Sequence, residues 1–259
     1  IPGIVAVSRT PAAAEAGTGL QGVYGDIWKQ LGALMEDSMS FVKSGEQGDV
    51  NLYCGCAVLL FAGIYFLNKE IRRTEKIMLG AMALLYFAGF HITALNLLFH
   101  GMHKPVGIPN RFAFILIFLL LKISCDAWRK LEKESGKRIL AGFILAEIFC
   151  TVVGLKSGKG LGTLLTDGVI AAFFLPVWTG SFLCGKLPSH PLGRVEIRKI
   201  VSLVLAVMIL AETGIHGVFS ITDNGTANRD VYAESDREVT SLMKKTGADQ
   251  VNYRSAIVN

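Results

Sequence analysis

Lys122, Asp126, Glu147, Asp167 and Glu212, with His91 and His216, fall inside long apolar runs of the chain, and the amide of Asn96 lies among them. A charged side chain at the centre of a lipid-embedded helix costs about 2.5–3.5 kcal/mol on insertion scales, so such groups pair, line a wet cavity or handle a proton or ion. Lys122 and Asp126 are four apart and can pair on one helix face, near an end from which Lys can reach water. That pair reads as structural. Glu147 has no partner at helical spacing, and Asp167 shares its problem. Glu212 and His216 are again four apart. A proton or ion relay and plain inter-helix polar packing are both open for these intramembrane polar candidates, Glu147, Asp167, Glu212 and His216.

A second cluster lies between two apolar runs, in His100-Gly101-Met102-His103-Lys104-Pro105-Val106-Gly107-Ile108-Pro109-Asn110-Arg111. Proline fixes φ and glycine opens it, so the spacing predicts a rigid, re-entrant-like turn shaped by Gly101, Pro105, Gly107 and Pro109. Such a turn would hold Arg111 and the histidines at an interface, where a guanidinium can take a phosphate through two parallel hydrogen bonds. Anchoring of the following helix at headgroup level is the alternative. The cysteines, Cys54, Cys56, Cys125, Cys150 and Cys184, form no disulfide framework, and a C-x-C without neighbouring His is a poor zinc site. No metal site and no cofactor motif is evident, and any divalent cation is unknown.

The elements that position these residues follow from composition. The 259 residues are 51% hydrophobic and 18% charged, with mean hydropathy +0.46, too apolar for an ordinary water-soluble domain of this size. Six stretches are long enough to cross lipid as helices: 52–68, 77–99, 112–128, 139–155, 163–184 and 200–221. The fold class expected is all-α and integral to the membrane, a polytopic bundle of about six transmembrane helices. Lys and Arg number thirteen in the loops 69–76, 129–138 and 185–199, against four in 100–111 and 156–162. This asymmetry puts the first set in the cytoplasm, and residues 1–50 and 222–259 outside it. The net charge of +5 is thereby topology, and nucleic acid is not expected as a partner.

Within residues 1–50, Val23, Ile27, Leu31, Leu34, Met35 and Val42 share an arc opposite Asp26, Lys29, Glu36 and Lys43. That pattern predicts an amphipathic helix over 22–43, lying on the outer leaflet or packed on the bundle. Residues 222–259 read as the truncated start of an extracytoplasmic soluble domain, too short to close its own core. With Ile1 first and an uncapped end at Asn259, the chain reads as an excerpt.

Three stretches carry a resemblance. Asn51-Leu52-Tyr53-Cys54-Gly55 leads into the first span; Tyr65-Phe66-Leu67-Asn68-Lys69-Glu70-Ile71, followed by Thr74-Glu75-Lys76, forms the next turn; and His100-Gly101, Pro105, Gly107, Pro109, Arg111 and Phe112 form the loop already described. These are similar to motifs of the YfhO family of bacterial membrane proteins, multi-spanning glycosyltransferases of the GT-C class. Ile108 and Asn110 stand where that family usually has an aromatic and then a Tyr. The resemblance implies a fragment of an enzyme in the bacterial cytoplasmic membrane that moves a sugar from a polyprenyl-phosphate donor to a cell-envelope acceptor such as teichoic acid or another surface glycopolymer. It further implies that no catalytic carboxylate lies in this segment, that Arg111, then His100, then Lys104 contact the departing lipid phosphate, and that Asn51, Tyr53 and Gly55 shape the neighbouring pocket. A transporter or lipid flippase using the intramembrane acids is the rival reading, and a noncatalytic scaffold a third.

Overall fold

The computed structural model describes residues 25–35, 50–102, 110–131, 135–186, 191–223, 237–241 and 244–245. The chain is an all-α membrane protein, and no strand occurs among the described residues. Two units divide it, residues 1–220 and 221–259. In the second, the described residues are short helical stretches at 237–241 and 244–245, where the Ser241 hydroxyl donates to the Glu238 carbonyl.

Among the described residues up to Asp223, eight helices follow in order: α1 (Ile27–Gly32), α2 (Cys56–Leu67), α3 (Arg73–His91), α4 (Thr93–Phe99), α5 (Ala113–Arg129), α6 (Gly136–Ser157), α7 (Gly160–Lys186) and α8 (Pro191–Asp223). Gly136–Ser157, Gly160–Cys184 and Val195–Val218 are long and apolar enough to cross a membrane. Side chains such as Leu155, Leu164 and Leu210 stand more than two-thirds exposed on them, as a lipid-facing surface requires.

The central helix is α2, apolar on every side and buried from Cys56 through Tyr65 apart from Ala62. It packs against α5, α6 and α7. Ser124 on α5 donates to the Val58 carbonyl and Trp128 meets Phe61 edge-on, so α2 and α5 run parallel. On its other side α2 crosses α6 where two glycines meet. A Cβ on Gly63 would run into the Gly142 carbonyl oxygen, and one on Gly142 would lie 2.8 Å from the Ile64 backbone.

Where helices were expected to be continuous, three departures occur. The span over 52–68 begins as a helix only at Cys56, because Gly55 adopts φ 102°, ψ 141°, a conformation open to glycine alone. The span over 77–99 is broken at Ile92, which is extended at φ −95°, ψ 116° and separates α3 from α4. The amphipathic helix over 22–43 shrinks, within its described part, to Ile27–Gly32. Asp26 caps it by accepting from the amides of Trp28 and Lys29 at 2.7 and 3.0 Å, and Ala33–Met35 then leave the helix and bury into the core. Those amides, Lys29 first, hold the Asp26 carboxyl below the usual carboxylate range. This segment packs on α6, with Gly32 against Ser157.

One end of the bundle gathers the basic turns. Asn68, fully buried, donates to the Lys130 carbonyl, Lys130 approaches Glu75 at 3.7 Å, and Lys76 donates to the Phe66 carbonyl. At the opposite end lie the start of α5, the ends of α4 and α6, and the segment leading into α2.

Candidate functional site

The break at Ile92 frees carbonyls that an unbroken helix would use. Gly89 and Phe90 would accept from residues 93 and 94; instead the Asn96 side-chain amide donates to Gly89 at 3.0 Å and the Gln30 amide donates to Phe90 at 2.8 Å. Two side-chain amides thus take over a backbone function at a buried joint. Asn96 extends the joint, donating also to Asn110 Oδ1 at 2.7 Å. Asn110 is 2% exposed and sits in the left-handed region at φ 56°, which asparagine tolerates better than most residues.

Arg111 follows immediately, exposed, its backbone set by the buried Asn110 before it. The α4 end is equally defined. Gly101 at φ 69° lets the amides of Gly101 and Met102 reach back to the carbonyls of Leu98 and Leu97, a Schellman closure. His100 Nδ1 bonds the Asn96 carbonyl at 2.8 Å, its ring meets Phe112 edge-on, and its Nε2 is enclosed with no hydrogen-bond partner among the described residues. Phe112 stacks on Phe90 at 4.8 Å and contacts Phe99, so an aromatic cluster supports the described residues at both ends of the turn. Lys104, Pro105, Gly107, Pro109 and His103 lie outside the described residues.

A second polar cluster forms deeper. Counting about 1.5 Å per residue from the Gly63–Gly142 crossing puts the start of α2 about 10 Å beyond it, level with the middle turns of α6 rather than its end. The lead-in 51–55 therefore descends into the bundle as non-helical backbone, with Leu52 fully buried. Asn51 Oδ1 accepts the Tyr53 amide at 3.3 Å, an Asx-type turn. Glu212 of α8 accepts at one oxygen from both the Tyr53 hydroxyl, 2.7 Å, and the Cys56 amide, 2.6 Å. His216, one turn on, stacks on the Tyr53 ring with centroids 4.0 Å apart. Because Gly55 brings no side-chain cap, Glu212 serves the first turn of α2 from another helix, its negative charge at the positive end of the helix dipole.

The remaining intramembrane acids meet elsewhere. Glu147 on α6 and Asp167 on α7 neighbour each other, each with one buried carboxyl oxygen that has no hydrogen-bond partner among the described residues, and the Thr151 hydroxyl lies 3.5 Å from Asp167. Lys122 and Asp126 pair at 2.5 Å on an accessible face of α5. Among the described residues no group of His, Cys, Asp and Glu is placed to hold a metal ion.

Of the residues singled out from sequence, Asn51, Tyr53, Gly55, Glu212 and His216 come together, although two separate arguments selected them. Gly101, His100 and Arg111 form a second group. Sequence reasoning missed Gln30, whose partner is a carbonyl exposed by a break that periodicity does not report, and the backbone role of Asn96.

No curated protein and no solved structure matches the chain. The family model described as bacterial membrane protein YfhO matches residues 1–259, in agreement with the apolar helices above, and the chain belongs to that family.

Proposed function

We propose that this chain is part of a membrane glycosyltransferase that moves a sugar from a polyprenyl-phosphate donor to an envelope glycopolymer outside the cytoplasmic membrane. Its six spans would run as the loop charges direct, with both ends of the segment extracytoplasmic. The observation that carries the reading is the buried Asn96–Asn110 joint, which fixes the backbone before an exposed Arg111 at the end of the bundle poor in cations. A guanidinium held there suits a lipid phosphate that gains charge as its sugar leaves. Lys104 would add a second cation. His100 would contribute its Nε2 only after the turn opens, since that nitrogen is enclosed. The acceptor hydroxyl would lose its proton to a carboxylate outside this segment.

The test is transfer by the full-length protein in membranes, titrating donor. Arg111→Ala should lower kcat/KM for donor by about 10- to 100-fold, and Arg111→Lys should recover only part, because an ammonium cannot make the bidentate contact. Unchanged transfer in Arg111→Ala would end this assignment.

A transporter or flippase is favoured by one observation, the carboxyl pair of Glu147 and Asp167 between α6 and α7. Loss of activity in Glu147→Gln or Asp167→Asn with Arg111→Ala active would decide for it.

A further inference from the structure

Helix α8 is loosely seated. Between residues 195 and 218 only Leu205 is buried, while Leu203, Val207, Leu210 and Ile215 are all more than half exposed. Val201, Leu205 and Met208 face the core on one side of it. Near the basic end Val201 packs so closely on α7 that a Cβ on Gly180 would lie 2.6 Å from it. About 16 Å further along, at eleven residues of helical rise, is Glu212 with its two short bonds to Tyr53 and Cys56. On the other side of those bonds, α2 starts in mid-bundle with no cap of its own, preceded by non-helical backbone. Such backbone is tolerated at membrane depth only where protein satisfies its polar groups.

From these facts we infer that Glu212 is a latch: its bonds to Tyr53 and Cys56 hold α8 on the broken start of α2 and fix the Asn51–Gly55 lead-in. The device is reciprocal. Glu212 needs the two donors to remain at that depth, and the Cys56 amide and Tyr53 hydroxyl need an acceptor there. The Tyr53–His216 stack adds a second contact one turn away, so α8 grips by two adjacent turns of one face. Movement of α8 away from α2 would break both bonds at once and free the lead-in. Under the transfer reading, Glu212 is then a positioning residue for the Asn51–Tyr53 pocket; that consequence rests on the reading above, whereas the latch itself does not.

Native thiols report on it without any sugar donor. Cys56 is fully buried beside the latch and Cys54 half-buried, whereas Cys184 is half-buried near the basic end of α7. In the full-length protein in native membranes, labelling by N-ethylmaleimide is followed at each cysteine by peptide mass spectrometry. Glu212→Ala should raise the rates at Cys54 and Cys56 about tenfold, leaving Cys184 within about twofold of wild type. Glu212→Gln, whose amide oxygen still accepts both donors, should protect nearly as well as Glu. Tyr53→Phe removes the hydroxyl's bond to Glu212 and its 3.9 Å contact with the Cys56 thiol and opens no cavity; it should give an increase of about threefold at Cys54, a thiol outside both contacts. Unchanged rates at Cys54 and Cys56 in Glu212→Ala and Tyr53→Phe would overturn the latch. So would a parallel rise at Cys184, which would make Glu212 a general fold residue, or a Glu212→Gln variant as labile as Glu212→Ala. Absence of sugar transfer in the wild-type protein would sink the reading above and leave this pattern untouched.

Discussion

Asn96 does two things that no other side chain in its helix does: it replaces a missing helical donor at Gly89 and it fixes Asn110 in a left-handed turn. Both acceptors are buried, so truncation leaves them unsatisfied rather than returning them to water. Asn96→Ala should therefore destabilise the solubilised protein by about 1–3 kcal/mol. Asn96→Asp should be at least as damaging, because an ionised carboxylate donates to neither oxygen. Thermal unfolding in detergent compares the two; an Asp variant more stable than the Ala variant would contradict the donor role. The polarity of Asn96 within an apolar run is visible in the sequence, but its job is not. That job exists only because Ile92 interrupts the helix, and the break depends on tertiary partners such as Gln30, sixty residues away from Phe90.

Helices were legible where the apolar runs were long: α5, α6 and α7 fall within a few residues of the stretches 112–128, 139–155 and 163–184. They were not legible where a single residue leaves the helical region. Gly55 and Ile92 interrupt runs whose hydropathy never falters, because hydropathy measures transfer to lipid and carries no information on backbone dihedrals. The glycines inside helices separate by what surrounds them. Gly63 and Gly142 lie at a backbone-to-backbone crossing of α2 and α6, whereas Gly168 on α7 faces open space. Gly63→Ala or Gly142→Ala should cost about 1–3 kcal/mol by forcing the helices apart. Gly168→Ala should be neutral or stabilising by up to about 1 kcal/mol, since it removes only the entropic penalty of glycine in a helix. Thermal unfolding of the three variants checks the ranking, and equal effects at Gly63 and Gly168 would refute the close crossing. The pairing of Glu212 with Tyr53 belongs to this scale as well: each residue stood out alone, but their meeting requires α8 to return past the start of α2.

For the whole membrane region, the direction in which it sits decides what the site can meet. The structure brings Asn68, Lys76 and Lys130 together, so the cation-rich turns at 69–76 and 129–138 share one end of the bundle. The energetic basis of orientation lies in translocation: Lys and Arg near the ends of spans resist crossing, and the thirteen in three basic loops outweigh the four in the two opposite loops. In a cysteine-free background, a membrane-impermeant maleimide applied to intact cells should label a cysteine placed at Met102, which is half exposed, and spare one placed at Arg129. After permeabilisation both should react at similar rates, which controls for local accessibility. The reverse pattern would turn Arg111 and the Tyr53 lead-in toward the cytosol, where an acceptor of the cell envelope is absent. Sugar transfer outside the membrane would then be untenable even though every hydrogen bond in the bundle stayed as it is, because orientation is fixed by charge and not by packing.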